Sequence, residues 1–181
     1  MQKDDKRGAI SRRDVLKGSL SAGVVLAAGV GFGEALAAAG SRPAGDRPEA
    51  AKAHFQKSMN CSQAILENYA PVYGIKPELA GKLSTGFAGG MGSGRTCGAV
   101  TAAYMVLGLA YGPKESEVFA KIEAFNKEFT ARNGRLGCSQ LLGVDMSTKA
   151  GMKEADRKGL FKTRCPGYVK SAGEILEKML A

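Results

Sequence analysis

The segment Thr96–Tyr111 constrains the fold more than any other stretch. Wound as a helix it is apolar on nearly every side, through Ala99, Val100, Ala102, Ala103, Tyr104, Met105, Val106, Leu107 and Leu109. A helix without a polar face belongs in the centre of a core. At this length it is too short to span a bilayer. Other elements must therefore wrap around it. Gly112-Pro113 stops it, and a glycine-rich loop, Thr85–Arg95, leads into it.

The flanking segments read as helices, and strand-like alternation is absent throughout. Glu49–Met59 is a first helix. Asn60 caps a second, with Gln63 in the capping-box position and Pro71 and Gly74 at its end. Pro77–Leu83 is a short candidate. Glu115–Arg132 is the clearest amphipathic helix, with Val118, Ile122, Phe125 and Phe129 on one face. Cys138–Leu142 is no more than a turn of helix. Ser147 is expected to cap a polar helix through about Lys158, and Pro166 to open a last helix with Val169, Ala172, Leu176 and Met179 inward. The fold class expected is all-α: a compact bundle of about six to seven short helices around the central apolar one. The Met and aromatic stripes read as core.

The N-terminus is a targeting segment rather than part of that bundle. Ser11-Arg12-Arg13-Asp14-Val15-Leu16-Lys17 precedes a Gly- and Ala-diluted apolar stretch, Leu20–Ala39, which ends in small residues suited to cleavage after Ala37 or Ala39. Arg12 and Arg13 in this setting resemble a twin-arginine translocation signal. Residues 1–39 are expected to be that signal, 40–48 a flexible linker, and 49–181 the functional domain. The expected location is the periplasm, with a membrane tether if the signal stays uncleaved. The twin-arginine route carries proteins already folded, often with a cofactor in place, which favours a metal centre over a disulfide scaffold.

The chain has four cysteines, one histidine and no tryptophan, and 44% of its residues are apolar. That composition fits neither a disordered chain nor a disulfide-dense miniprotein. Cys61 follows the cap residue Asn60, and Cys97 follows Thr96, read as a cap. Cys138 follows Gly137, and Cys165 stands before Pro166 as the natural cap of the last helix. All four sulfurs are thus expected at helix N-termini. There, free N–H groups and the macrodipole favour thiolate over thiol, so the cysteine pKa should fall. Thiolates are what metals and clusters require. Arg95 and Arg164 stand beside the cysteine segments and would add to the positive field. Gly90, Gly92 and Gly94, with Gly98 after Cys97, let backbone approach a cofactor closely and turn N–H groups toward its sulfurs.

On residues alone several readings stay open. They are an iron–sulfur cluster held by Cys61, Cys97, Cys138 and Cys165, two structural disulfides, a zinc site with four cysteine ligands, and a dithiol couple without metal. Structural zinc usually takes closely spaced Cys pairs, which this chain lacks. A c-type haem is excluded because no C-x-x-C-H occurs, and a Rieske centre because His54 is the only histidine. His54 reads as a helix-surface residue. Gly89–Thr96 imitates a phosphate-binding loop, but Arg95 replaces the lysine and no strand precedes it.

The formal net charge is +9. Much of it lies between Lys149 and Lys170, where Lys149, Lys153, Arg157, Lys158, Lys162, Arg164 and Lys170 face only Glu154 and Asp156. No aromatic residues interleave in the manner of a nucleic-acid platform. The stretch reads as a solvated face or as a docking patch for an acidic redox partner. Partners expected are the twin-arginine translocase and an acidic redox protein or respiratory complex, with a homodimer left open and nucleic acid excluded.

The motifs resemble a known family, named for its signature C_GCAxxG_C_C. The matching stretches are Asn60-Cys61-Ser62-Gln63-Ala64-Ile65-Leu66, then Gly90-Met91-Gly92 leading to Thr96-Cys97-Gly98-Ala99-Val100-Thr101, then Leu107-Gly108-Leu109-Ala110-Tyr111-Gly112, with Cys138 and Cys165 following. Gly98 stands directly after Cys97, and Ala102 occupies a place where relatives often have Gly. The family is related to the iron–sulfur domain of split-Soret cytochrome c. The resemblance therefore implies a redox-active helical domain and a cluster, [2Fe–2S] in preference to [4Fe–4S], without haem. Electron transfer or redox sensing is the expected role, rather than stand-alone catalysis. The alternative is a thiol–disulfide redox or disulfide-stabilised binding module.

Overall fold

The computed structural model describes residues 45–181. Arg12, Arg13 and the cleavage sites of the expected signal lie outside the described residues. Within them the chain forms nine α-helices and no strand. These are α1 (Arg47–Ser58), α2 (Cys61–Tyr69), α3 (Pro77–Ser84), α4 (Gly98–Tyr111), α5 (Glu115–Asn133), α6 (Cys138–Leu142), α7 (Lys149–Arg157), α8 (Leu160–Thr163) and α9 (Cys165–Leu180). The all-α expectation holds. The larger helix count includes α8, a single turn running into α9 that the pattern did not separate.

Two details of the caps differ from expectation. α1 begins at Arg47 rather than Glu49, with Pro48 in its first turn. α7 is capped by Thr148, whose hydroxyl accepts from the Gly151 N–H at 3.0 Å. Ser147 is diverted: its N–H and hydroxyl both donate to the Asp145 carboxylate, at 3.0 and 2.6 Å.

α4 lies in the core as expected, but shares the centre with α2 and α9. Ala99, Val100, Ala102, Ala103, Val106 and Leu107 are buried, while Thr101, Met105 and Leu109 on its other flank are half-buried. α2 packs against α1, α3, α4 and α9, burying Ala64, Ile65, Leu66 and Tyr69. Burying such side chains removes apolar surface from water and supplies the main driving force for folding. α5 delivers Phe125 and Phe129, stacked at 5.9 Å between ring centroids. A second, smaller cluster joins Cys138, Leu142, Val144, Met146 and Ala155, with Leu160 and Phe161 packed on it. Cys61 and Cys97 belong to the large cluster, Cys138 to the small one, and Cys165 packs against both.

α9 ties the bundle together. A Cβ on Gly173 would stand 2.9 Å from Pro48 Cα and 3.1 Å from the Tyr69 hydroxyl. Glycine there lets α1, α2 and α9 meet, and the Tyr69 hydroxyl donates to the Gly173 carbonyl at 2.9 Å. Near its end, Glu177 accepts from Arg47 Nε at 2.7 Å and from the Gly45 N–H at 2.8 Å. Burial works against the Glu177 carboxylate. The Arg47 guanidinium and the Gly45 N–H outweigh it and hold its pKa below the usual carboxylate range.

A carboxyl lowered on folding contributes stability above the unfolded carboxylate pKa, about 4.3, and loses it as pH falls through the folded value. Glu177→Gln should lower the unfolding free energy at neutral pH by about 1–2 kcal/mol. It should also flatten the acid limb of the stability curve. Urea titrations at pH 7 and at stepwise lower pH check both.

Candidate functional site

Each cysteine is set by its own helix start. Cys61 is the first residue of α2, where the Asn60 side chain accepts from the Gln63 N–H at 3.0 Å. The capping box is only half made. Gln63 turns away from Asn60 and donates to Thr85 Oγ1 at 2.8 Å. Cys138 is the first residue of α6, after Gly137. Cys97 is itself the residue flanking α4, in place of Thr96. Cys165 is the first residue of α9, and not its cap. Arg164 before it is already helical in backbone because α8 runs on into α9. The helix-start expectation thus stands for all four, with two shifted by one residue.

A feature that local patterns could not reveal joins two of them. The Cys97 N–H donates to the Leu136 carbonyl at 2.8 Å, and the Cys138 N–H donates to the Arg95 carbonyl at 2.6 Å. Thr96 and Gly137 form a lone antiparallel bridge between these bonds. The segment entering α4 is thereby stitched to the segment entering α6.

The glycine-rich loop shapes the approach. Gly89, Gly90, Met91, Gly92 and Gly94 all take left-handed backbone conformations, winding Gly90–Gly94 into a wide turn closed by the Arg95 N–H on the Gly90 carbonyl at 3.1 Å. The four glycines singled out play different parts. A Cβ on Gly98 would stand 2.6 Å from Cys61 Sγ and 2.8 Å from the Phe87 carbonyl. Gly92, with Gly89, lines the cavity described next. Gly90 and Gly94 do not line it. A Cβ on Gly90 would meet the Arg95 backbone at 2.5 Å, and one on Gly94 would run into the Ser139 hydroxyl of α6.

Cys61, Cys97, Cys138 and Cys165 all line one cavity of about 320 Å³. The rest of the wall is apolar: Phe55, Met59, Leu141, Leu142, Met146, Met152, Phe161 and Tyr168, with Ala88 and the two glycines. Sequence reasoning assigned these Met and aromatic residues to plain core. Only the fold shows which of them face the sulfurs. Tyr168 is fixed by donating its hydroxyl to the Leu141 carbonyl at 2.9 Å.

No charged side chain lines the cavity. Arg95 and Arg164 are exposed, and Arg164 is spent on the Leu141 carbonyl at 3.3 Å. They do not supply the field expected of them at the sulfurs. His54 sits on α1 with Asn68 at 3.3 Å and Glu67 at 3.7 Å, away from the cavity.

The thiols respond to burial more than to helix ends. Donation from the Cys97 thiol lowers the pKa of Cys61. Burial opposes this, and the N–H groups of Gly89, Gly98 and Cys61 itself reinforce it. Cys97 is pushed up, first as the donor to Cys61 and then by burial. Burial, then the Cys61 charge, raises Cys138 to about 11. Burial, with Cys61 and Cys138, raises Cys165 to about 12. The expected lowering therefore holds only at Cys61. At Cys138 and Cys165 desolvation of the charged form outweighs the helix terminus, and at Cys97 the hydrogen bond to Cys61 does so together with burial.

Among the described residues, no three His, Cys, Asp or Glu side chains are drawn close enough to share a single metal ion. The four thiols share a cavity rather than a point, with Cys61 and Cys97 in mutual contact and none joined in a disulfide.

A family profile described as "putative redox-active protein (C_GCAxxG_C_C)" matches residues 59–179. The chain belongs to the C_GCAxxG_C_C family. All four cysteines, the glycine-rich loop and the helices from α2 into α9 lie within the match. No curated protein and no solved structure matches the chain. Membership in the C_GCAxxG_C_C family accords with a site whose only chemically reactive side chains are thiols.

Gly98→Ala should lower the unfolding free energy by about 1–3 kcal/mol, because the new methyl must displace Cys61 Sγ or the Phe87 carbonyl. Gly167→Ala in α9, where nothing lies within 4 Å of the added carbon, should raise it by up to about 1 kcal/mol. Paired denaturant titrations measure both.

Proposed function

We propose that this protein holds an iron–sulfur cluster in the four-cysteine cavity and serves in electron transfer or redox sensing outside the cytoplasm. One observation carries the reading. Four thiols, each from a separate helix start, open onto one apolar cavity that offers no other donor side chain of comparable reactivity.

The residues fit such a group. The donor set is all sulfur, the chemistry that iron–sulfur clusters require. N–H groups of Gly89, Gly98 and Cys61 point at the Cys61 sulfur, and that of Ala99 at Cys97. Such donors stabilise ligated thiolates and tune a potential. A [2Fe–2S] cluster takes thiolates in pairs, and the Cys61–Cys97 contact supplies one pair. When bound, the cluster would supply a one-electron couple. The chain's own part is to present four sulfurs, exclude water with Met146, Leu142 and Phe55, and keep acids and bases out. Cluster loading must expel the protons that burial holds on Cys138 and Cys165, and that the hydrogen bond to Cys61 and burial hold on Cys97.

The reading of export rests on Arg12, Arg13 and the apolar stretch after them. A route that moves folded proteins suits a cluster inserted before export. Periplasmic residence follows from that reading.

The Cys61–Cys97 contact also favours a second reading, a dithiol couple. The lowered Cys61 thiolate would attack a disulfide of a partner protein, releasing one partner thiol, and Cys97 would then displace the other, so that the Cys61–Cys97 pair is oxidised to a disulfide and the partner's disulfide is reduced to two thiols.

Anaerobic purification separates the two. The cluster reading expects visible absorption with matching iron and acid-labile sulfide. Each of Cys61→Ser, Cys97→Ser, Cys138→Ser and Cys165→Ser should reduce cluster retention by more than about tenfold. A colourless protein whose oxidised form carries a Cys61–Cys97 disulfide, with Cys138 and Cys165 still alkylatable, would refute it in favour of the couple.

A further inference from the structure

The surface charges are unevenly matched. On α1, α5 and α9 several cations have partners, Arg47 with Glu177 at 2.7 Å, Lys170 with Glu49 at 2.8 Å, Arg132 with Glu174 at 3.2 Å and Lys178 with Glu128 at 3.3 Å, while Lys57, Lys121 and Lys127 enter no ion pair among the described residues. On α7 and α8 most have none. Lys149, Lys153, Arg157 and Lys162 are exposed. Among the described residues none of them appears in an ion pair, and only Lys158 is matched, by Glu154 at 2.6 Å. Of the other carboxylates in this stretch, Asp145 is occupied by Ser147, and Asp156 on α7 is exposed and enters no ion pair among the described residues.

The same two helices wall the cysteine cavity, through Met152 and Phe161. Met152 is 50% exposed, and Met59, which lines the same cavity from the end of α1, is 43% exposed. The cavity thus reaches the surface at an apolar rim, with unmatched cations on the helices that form it. Flexible, polarisable Met side chains suit a surface that must repack against a partner. Unmatched cations raise the local potential and speed encounter with a negative surface.

We propose that this rim is the docking surface of an acidic redox protein. The partner's carboxylates would face Lys149, Lys153, Arg157 and Lys162, and its apolar centre would cover Met59 and Met152. One electron then passes between the partner's own one-electron centre and the group in the cavity. One is oxidised, the other reduced, and no bond is made or broken. The electron step rests on the cluster reading above; the docking does not. An anionic membrane would take up cations anywhere on the surface and gives no reason for them to gather at the cavity.

The test uses the anaerobically isolated protein and an acidic flavodoxin as probe, titrated calorimetrically at low and high ionic strength. Binding should weaken about tenfold or more on adding salt. Lys149→Glu with Lys153→Glu and Arg157→Glu should weaken it about tenfold or more at low salt. A control triple of equal charge change at exposed sites away from the cavity, Lys82→Glu with Lys114→Glu and Lys127→Glu, should stay within about twofold. If the first triple fails to fold by circular dichroism, Lys153→Glu alone should still cost about threefold. Equal losses in both triples, salt-independent or absent binding, or uptake by phosphatidylglycerol vesicles without flavodoxin binding would each overturn the docking surface. Iron and sulfide assayed on the same sample keep the two readings apart. A colourless protein with the expected binding pattern sinks the cluster alone. A cluster-bearing protein indifferent to the α7 substitutions sinks the docking alone.

Discussion

Desolvation of the thiols governs the site. Four sulfurs enter a cavity with no charged side chain; for Cys138 and Cys165 the loss of water outweighs whatever the helix termini give, and Cys97 is held up first by its hydrogen bond to Cys61 and then by burial. Only Cys61 is tipped toward thiolate, because a neighbouring thiol and three backbone N–H groups reach it. A wall of Met, Leu and Phe therefore holds a site that is nearly neutral by itself and becomes anionic only around a cation. That explains how so many cysteines coexist in one apolar space without mutual repulsion.

Much of this was legible in the sequence wherever the signal is local. The Asn60 cap, the Gly112-Pro113 stop, the amphipathic Glu115–Asn133 helix and the helix-start setting of the cysteines all depend on neighbours a few residues apart. The misses are equally systematic. Ser147 lost its capping role to Thr148 because Asp145, two residues away, competed for its hydroxyl. Arg95 and Arg164 lie beside cysteines in sequence yet turn outward. Gly90 and Gly94 resembled ligand-facing glycines but serve turn closure and the approach to α6. Nothing local indicates that Thr96 pairs with Gly137, or that Met59, Met146 and Met152 meet at one cavity. Those facts are set by packing between distant segments.

The cavity's position in the fold gives it a mechanical meaning. Cys61 and Cys97 are rooted in the large hydrophobic cluster, Cys138 in the small cluster of α6 and α7, and Cys165 touches both. The cavity is the seam between two cores. Besides the backbone stitch at Thr96–Gly137, the seam is held by Tyr168 and Arg164, which both donate to the Leu141 carbonyl. A group that binds sulfurs from both sides would fasten one core to the other. Its binding energy would appear as added stability of the assembled state.

α9 extends that coupling through the whole bundle. Its first residue is a site cysteine, its middle glycine admits α1 and α2, and its last turns hold Arg47 through Glu177. A rigid helix of 16 residues spans about 24 Å at 1.5 Å per residue, so a shift at one end is felt at the other. Movement of Cys165 would strain the Gly173 contact, where backbone and side chains already leave no room for a methyl group. On the α7–α8 side the wall belongs to the smaller of the two buried clusters, and Met152 stands half exposed there.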